Sequence, residues 1–383
     1  MTSFPLPRRS RTGSRLLRGA AVAFIAILLS IVGWSTAPAP ASAANSRFLV
    51  VAGTASMGIS VLRVAEDGTL SSVPNSPFPT GFGVLSLVLA PDGRTVYVPH
   101  AGDFGVSGYR LDDNGTLHPV PGADITVGGP PTAAALSPDG TQLFVVVGGA
   151  PGHVESFAVT PSGALIPTGA PTVPVDGFSA VGMAAVDPSG RFLRVVTYLG
   201  NTMSNYAIAP DGTMTPLSAT EVKLGPVAPG FSPDGRYLYV SNEFGFDLSG
   251  FAIGENGQLT STPGSPYQTH GVPHGAVVTA DGTRLYVPNA MGQSIAGFDL
   301  HADGRLVELP GSPYAAPAAT LPGQVALHPD GKTLYLIDVL TAEVTTRVHT
   351  YTIGTDGSLA PSGRPAVDTG VVMSDGPVVA ITP

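Results

Sequence analysis

A short turn signature returns seven times along this chain of 383 residues. It is Asp, Asn or Ser followed by Gly, at Asp67-Gly68, Asn114-Gly115, Ser162-Gly163, Asp211-Gly212, Asn256-Gly257, Asp303-Gly304 and Asp356-Gly357. A second signature, Pro-Asp-Gly or a near relative, lies between them. Its glycines are Gly93, Gly140, Gly190, Gly235, Gly282 and Gly331, with gaps of 47, 50, 45, 47 and 49 residues. A period in this range means a solenoid, propeller or array. Each unit is one supersecondary element that cannot bury its apolar face alone, so neighbours must cover it.

One unit shows what the element is. Residues 275–279 are small and apolar, and Asp281-Gly282 turns the chain. Residues 284–288 (RLYVP) and 294–300 (SIAGFDL) read as strands around a loop. Asp303-Gly304 turns again into 305–309 (RLVEL). Asp-Gly between alternating apolar runs is a hairpin signal, and the expected turn is type I′, with positive φ at both central residues. Four-stranded antiparallel units repeated radially make a seven-bladed, all-β propeller. The chain ends support closure. Residues 47–52 (RFLVVA) align with a second strand and residues 378–382 (VVAIT) with an innermost one. The C-terminus should therefore complete the blade that the N-terminus begins, which removes the exposed edges of a linear array. A β-solenoid has shorter repeats and needs no such offset. The 49 Gly and 38 Pro fall at periodic turns, so they punctuate blades and do not mark disorder.

The first 43 residues are read separately. Arg8, Arg9, Arg11, Arg15 and Arg18 precede an apolar run over 20–32, and Ala41-Ser42-Ala43 has the form of a cleavage site. This predicts a secretory signal peptide over 1–43, a single propeller domain over 44–383, and a secreted, extracellular protein. No stable membrane span is expected after cleavage, because a span needs about 20 apolar residues. A retained anchor is the other reading, and Arg8-Arg9 raises twin-arginine export. Without the five leader arginines, 13 basic face 27 acidic residues, a net charge of −14. Such a protein does not hold nucleic acid or anionic lipid by charge. With no Cys, disulfide and thiolate chemistry are excluded.

The segments Ser232-Pro-Asp-Gly-Arg-Tyr-Leu-Tyr-Val-Ser-Asn-Glu243 and Ala280-Asp-Gly-Thr-Arg-Leu-Tyr-Val-Pro-Asn289 resemble the lactonase-type seven-bladed propellers. That family includes 6-phosphogluconolactonases and carboxymuconate-cyclising enzymes and overlaps with YVTN-repeat propellers. The resemblance spans residues 44–383. It implies the fold strongly and the reaction weakly, since propellers host unrelated functions.

Candidate site residues come from the loops that share one face: those joining second to third strands, and those entering each inner strand. Glu243 follows the second strand of one unit, and His270-Gly-Val-Pro-His274 enters the next. A carboxylate and an imidazole at one channel mouth suit lactone opening or closing, one activating water and the other protonating the leaving oxygen. Glu243 and His274 are the candidate catalytic pair. Asn242, His270, Asn289, His100 and His153 are candidate substrate-binding residues. In the resembled family an Asn-Glu after the second strand matches Asn242-Glu243, and Pro273-His274 partly matches its segment before the inner strand. Val227 and Ala228 stand where that family would tend to place Arg and His.

His270, His274 and Glu243 have the ligand types for a metal, and His100 or His153 could join, but the two His lie in a loop and not one turn apart on a helix, so no metal and no cofactor are expected. Arg and Lys are read as absent from these loops, and a phosphorylated substrate wants bidentate Arg, so 6-phosphogluconolactone is not expected. Two functions follow. One is a lactonase-like hydrolase or cyclase acting on a small non-phosphorylated substrate. The other is a non-catalytic extracellular propeller that binds a protein, peptide or glycan. A monomer is expected in either case.

Overall fold

The computed structural model describes residues 46–176, 182–341 and 344–383. These belong to a compact unit spanning 43–383. The proposed signal peptide lies outside the described residues. Among the described residues there is no helix, and therefore none long and apolar enough to cross a membrane.

The described strands form seven antiparallel sheets. Their second strands are Arg47–Ala52, Thr95–His100, Gln142–Val147, Phe192–Thr197, Tyr237–Asn242, Arg284–Asn289 and Thr333–Thr341, and these define blades 1 to 7. Each sheet runs inner, second, third, outer. Closure is as the sequence implies. Val379–Ile381 is the inner strand of blade 1, with Leu49 opposite Ile381 and Val51 opposite Val379. The Phe48 amide also donates to Thr382 Oγ1 at 2.8 Å. Packing repeats the closure, because apolar clusters lie between blades. Leu49, Val51 and Leu62 of blade 1 share one with Tyr335, Ile337 and Val348 of blade 7.

Two details differ from the sequence reading. First, the turns are not type I′. At Ala90–Gly93 the Gly93 amide bonds back to the Ala90 carbonyl, and only Gly93 has positive φ, at 65°. This is a type I turn with Pro91 and Asp92 central and glycine in the left-handed position. Asp92 closes it by accepting the Arg94 and Thr95 amides at 2.8 Å each. Second, each blade adds a short fifth strand beside the third. In blades 5 and 6 the repeated Pro-Gly-Ser-Pro-Tyr segments build it: Tyr267 and Tyr314 sit on it, buried. Ser265 and Ser312 Oγ accept the third-strand amides of Gly250 and Gly297 at 2.9 and 3.1 Å.

A tyrosine in the second strand joins the blades. The hydroxyls of Tyr97, Tyr239, Tyr286 and Tyr335 donate to the carbonyls of Gly163, Gly304, Gly357 and Gly68 at 2.7–3.0 Å. Each acceptor is the outer turn of the following blade, and the Tyr335–Gly68 bond links blade 7 to blade 1. In blade 4 the fully buried Arg194 takes this place, its Nη2 donating to Gly257 O at 2.7 Å. A buried carbonyl that loses its only donor costs about 1–3 kcal/mol. Tyr286→Phe should therefore lower the urea unfolding free energy by about 1–2 kcal/mol with an unchanged m-value. An unchanged midpoint would show that the latch contributes nothing.

Candidate functional site

Tyr198 and Glu243 occupy the same repeat position, the first residue after the second strand, in blades 4 and 5. The Glu243 amide donates to Gly225 O at 2.8 Å, which fixes the loop, and the side chain is only 7 % exposed. Its Oε2 accepts the Tyr198 hydroxyl at 2.7 Å. Its Oε1 lies 2.8 Å from Nδ1 of His274.

His274 enters the inner strand of blade 6. Its amide bonds to Pro288 O at 3.0 Å, and its carbonyl accepts Gln324 Nε2 of blade 7, also at 3.0 Å. Gly275 follows at φ 108° and donates to Ser241 Oγ at 3.2 Å. That left-handed conformation admits glycine and lets the chain turn sharply after the imidazole.

The other ring nitrogen, Nε2, lies 2.8 Å from Oδ1 of Asp375. Both ring nitrogens thus make close ion pairs with a carboxylate. Asp375 belongs to the segment before the closing strand. Thr54 Oγ1 holds it twice, accepting its amide at 3.0 Å and donating to its carbonyl at 3.1 Å. Ser374 Oγ donates to Ala52 O at 3.0 Å. The C-terminal segment is thus clamped by the loop that opens blade 1.

Tyr198, Glu243, His274 and Asp375 come from four blades and form one line of polar contacts. Burial opposes charge on His274, but the Asp375 and Glu243 carboxylates outweigh it and push the ring up to about 9. The imidazole beside Asp375 holds that carboxyl below its ordinary range, against burial. Burial, then the bond to Glu243, pushes the Tyr198 phenol up. At neutral pH the site is an imidazolium between two carboxylates, one negative charge in sum. Asp375 is the most open of the three, at 36 % side-chain exposure.

The expected pair, Glu243 and His274, therefore meets. The five expected substrate-binding residues do not join it. Asn242 and Asn289 are fully buried. Asn242 Nδ2 bonds to Asp247 and Ser249 at 2.7 and 2.9 Å, and Asn289 Nδ2 reaches Ser294 at 3.4 Å. His100 is buried between Asp103 and Ser107. All three end a second strand and tie down their own hairpin.

His153 Nε2 lies 3.1 Å from Glu155, and His270 turns outward to Glu308 on the outer strand of blade 6, so His270 and His274 share no ligand position. The loops are also not free of cations: Lys223 precedes the inner strand of blade 5, exposed, with its charge acting on Asp247. A cavity of about 560 Å³, lined by Asn205, Thr220 and Gln258 among others, opens between blades 4 and 5 and includes none of the four site residues. Asp375 and the role of Tyr198 were missed. Ser374-Asp375-Gly376 looks like one more turn, but its distance from the repeat's turn positions is a usable signal. Tyr198 could have been found by aligning it with Glu243.

Residues 41–272 match the family described as lactonase, 7-bladed beta-propeller. The chain belongs to that family. No curated protein sequence matches it. Similar solved folds include a Bacteroides fragilis protein provisionally named a 6-phosphogluconolactonase, with TM-score 0.72 and 18% identity over 90% of this chain and 100% of that one. The periplasmic gluconolactonase of Pseudomonas aeruginosa gives TM-score 0.70 and 23% identity over 88% and 99%. A Lactobacillus plantarum protein gives TM-score 0.70 and 20% identity over 88% and 99%. At these identities the likeness is one of fold. In this lactonase-family propeller the matched region includes Glu243 and ends just before His274.

An imidazolium whose pKa is raised in the fold contributes its full stabilisation below the unfolded value of 6.5 and loses it as pH rises through about 9. The unfolding free energy should therefore fall as pH is raised across that window. His274→Gln should remove this part of the slope. An identical pH dependence in both proteins would contradict the assignment.

Proposed function

We propose that this protein opens or closes a small, non-phosphorylated lactone at the His274 end of the channel. The observation that carries the reading is the convergence of Glu243, His274 and Asp375, from blades 5, 6 and 1, with both imidazole nitrogens 2.8 Å from a carboxylate oxygen.

The chemistry follows from the geometry. Glu243 pairs with Nδ1 and orients the ring. The Nε2 proton, beside the more exposed carboxylate of Asp375, is the one placed to move. Water bound at Asp375 adds to the lactone carbonyl carbon and leaves a proton on that carboxylate. The ring C–O bond breaks, and the departing oxygen takes the Nε2 proton. Return of the proton from Asp375 to Nε2 restores the site and leaves a hydroxy acid. The reverse steps close the ring and release water. Asp375 is a weak base, so the imidazolium and the positioning of water carry most of the effect. The net negative charge supports a neutral substrate over a phosphorylated one. The Arg-rich, apolar leader supports export from the cytoplasm.

The second reading, an extracellular propeller that binds protein, peptide or glycan, is favoured by one observation. The 2.8 Å Glu243–His274 contact leaves no room for water between them. Hydrolysis assays on a panel of unphosphorylated lactones separate the two. We expect turnover, reduced roughly 10²–10⁴-fold by His274→Ala and strongly by Glu243→Gln with folding intact. No turnover on any lactone, or turnover indifferent to both changes, would overturn the lactonase reading in favour of the binding one.

A further inference from the structure

Eleven large apolar side chains are exposed by more than a third among the described residues. Ile166 and Val307 lie on outer strands, and the other nine sit in loops of the face that carries His274. Those nearest Glu243 in sequence are Phe244, Phe246, Leu224 and Leu199, exposed by 50 %, 47 %, 49 % and 60 %. They belong to consecutive loops of blades 4 and 5.

Phe244 is held in place. Its amide bonds to Leu224 O at 3.2 Å, and its ring meets the Tyr198 ring at 5.5 Å between centroids, tilted by 57°. A Cβ on Gly225 would come within 2.7 Å of Phe244 Cδ2, so the ring lies against the backbone there. Glycine is required at 225 both for that approach and for its φ of 69°. The Tyr198 ring that supports Phe244 is the one whose hydroxyl binds Glu243. The polar line that starts at Asp375 thus ends at Tyr198, and the exposed Phe244 ring packs on that end. Lys223 lies in the same loop as Leu224, its Cβ close to Gly245 and its charge acting on Asp247.

We propose that Phe244, with Tyr198, Leu199 and Leu224, selects substrates bearing an apolar substituent, an alkyl chain or aryl ring, over polyhydroxylated sugar lactones. This rests on the lactonase reading of the same site. A substituent laid on this apolar shelf loses water from one face, and ordered aromatic side chains bind it with little entropic cost. Half to full burial of each methylene is worth about two- to fourfold in binding.

The test measures kcat/KM for a γ-lactone series from γ-butyrolactone to γ-decalactone, and for gluconolactone, in wild type and Phe244→Ala. In parallel, NMR titration gives Kd for the matching 5-alkyl-pyrrolidin-2-ones, which do not depend on lactone turnover. We expect kcat/KM and affinity to rise about two- to fourfold per methylene, with γ-decalactone preferred to gluconolactone, and Phe244→Ala to flatten both gradients. A gradient in lactam binding that Phe244→Ala flattens, with no lactone turned over, would support the apolar shelf and sink the lactonase reading. Absence of a chain-length gradient in binding, a gradient indifferent to Phe244→Ala, or a preference for gluconolactone would overturn the proposal.

Discussion

Pairing of the last strand with the first is the constraint on which the rest depends. Val379–Ile381 supplies the inner strand of a blade whose other strands begin at Arg47. That one ladder removes the two free edges of a seven-unit array and lets every blade bury both faces against neighbours. It also has a local consequence. The segment that leads into the closing strand is pinned by Thr54 and Ala52, and this places Asp375 against His274. The fold and the candidate site are therefore completed by the same contact.

The electrostatics of the site make sense only with all three charges. An imidazolium taken out of water beside one carboxylate gains attraction but loses hydration, and the balance can fall either way. A second carboxylate tips it. With Asp375 on one nitrogen and Glu243 on the other, the ring stays charged in spite of burial. Tyr198 then satisfies the second oxygen of Glu243. The Nε2 proton lies on the side facing the more exposed of the two carboxylates, where a reacting group can approach.

Much of this was legible in the sequence. The turn repeats gave seven blades, and residues 47–52 and 378–382 gave the closure because strand alignment is a local pattern. Glu243 and His274 stood out because a charged residue and an imidazole interrupt loops of small residues. What was not legible depends on distance between blades. Asp375 reaches His274 across the join, and no local signal marks a contact between residues 101 positions apart. The histidine and asparagines misled for the opposite reason. His100, Asn242 and Asn289 end second strands at one repeat position, and a polar residue recurring there marks hairpin packing. Turn type was also misread, since Asp-Gly suits both type I′ and a type I turn with glycine following, and Pro91 decides for the latter.

Removing the distal carboxylate while keeping its shape tests the account most directly. His274 ring resonances should be followed by NMR against pH in wild type and Asp375→Asn. The account predicts titration near pH 9 in wild type. In Asp375→Asn the midpoint should fall by about one unit or more, because burial remains and only one opposing charge is left. Equal midpoints in the two proteins, or a wild-type midpoint at or below 6.5, would show that ring closure does not set the charge of His274.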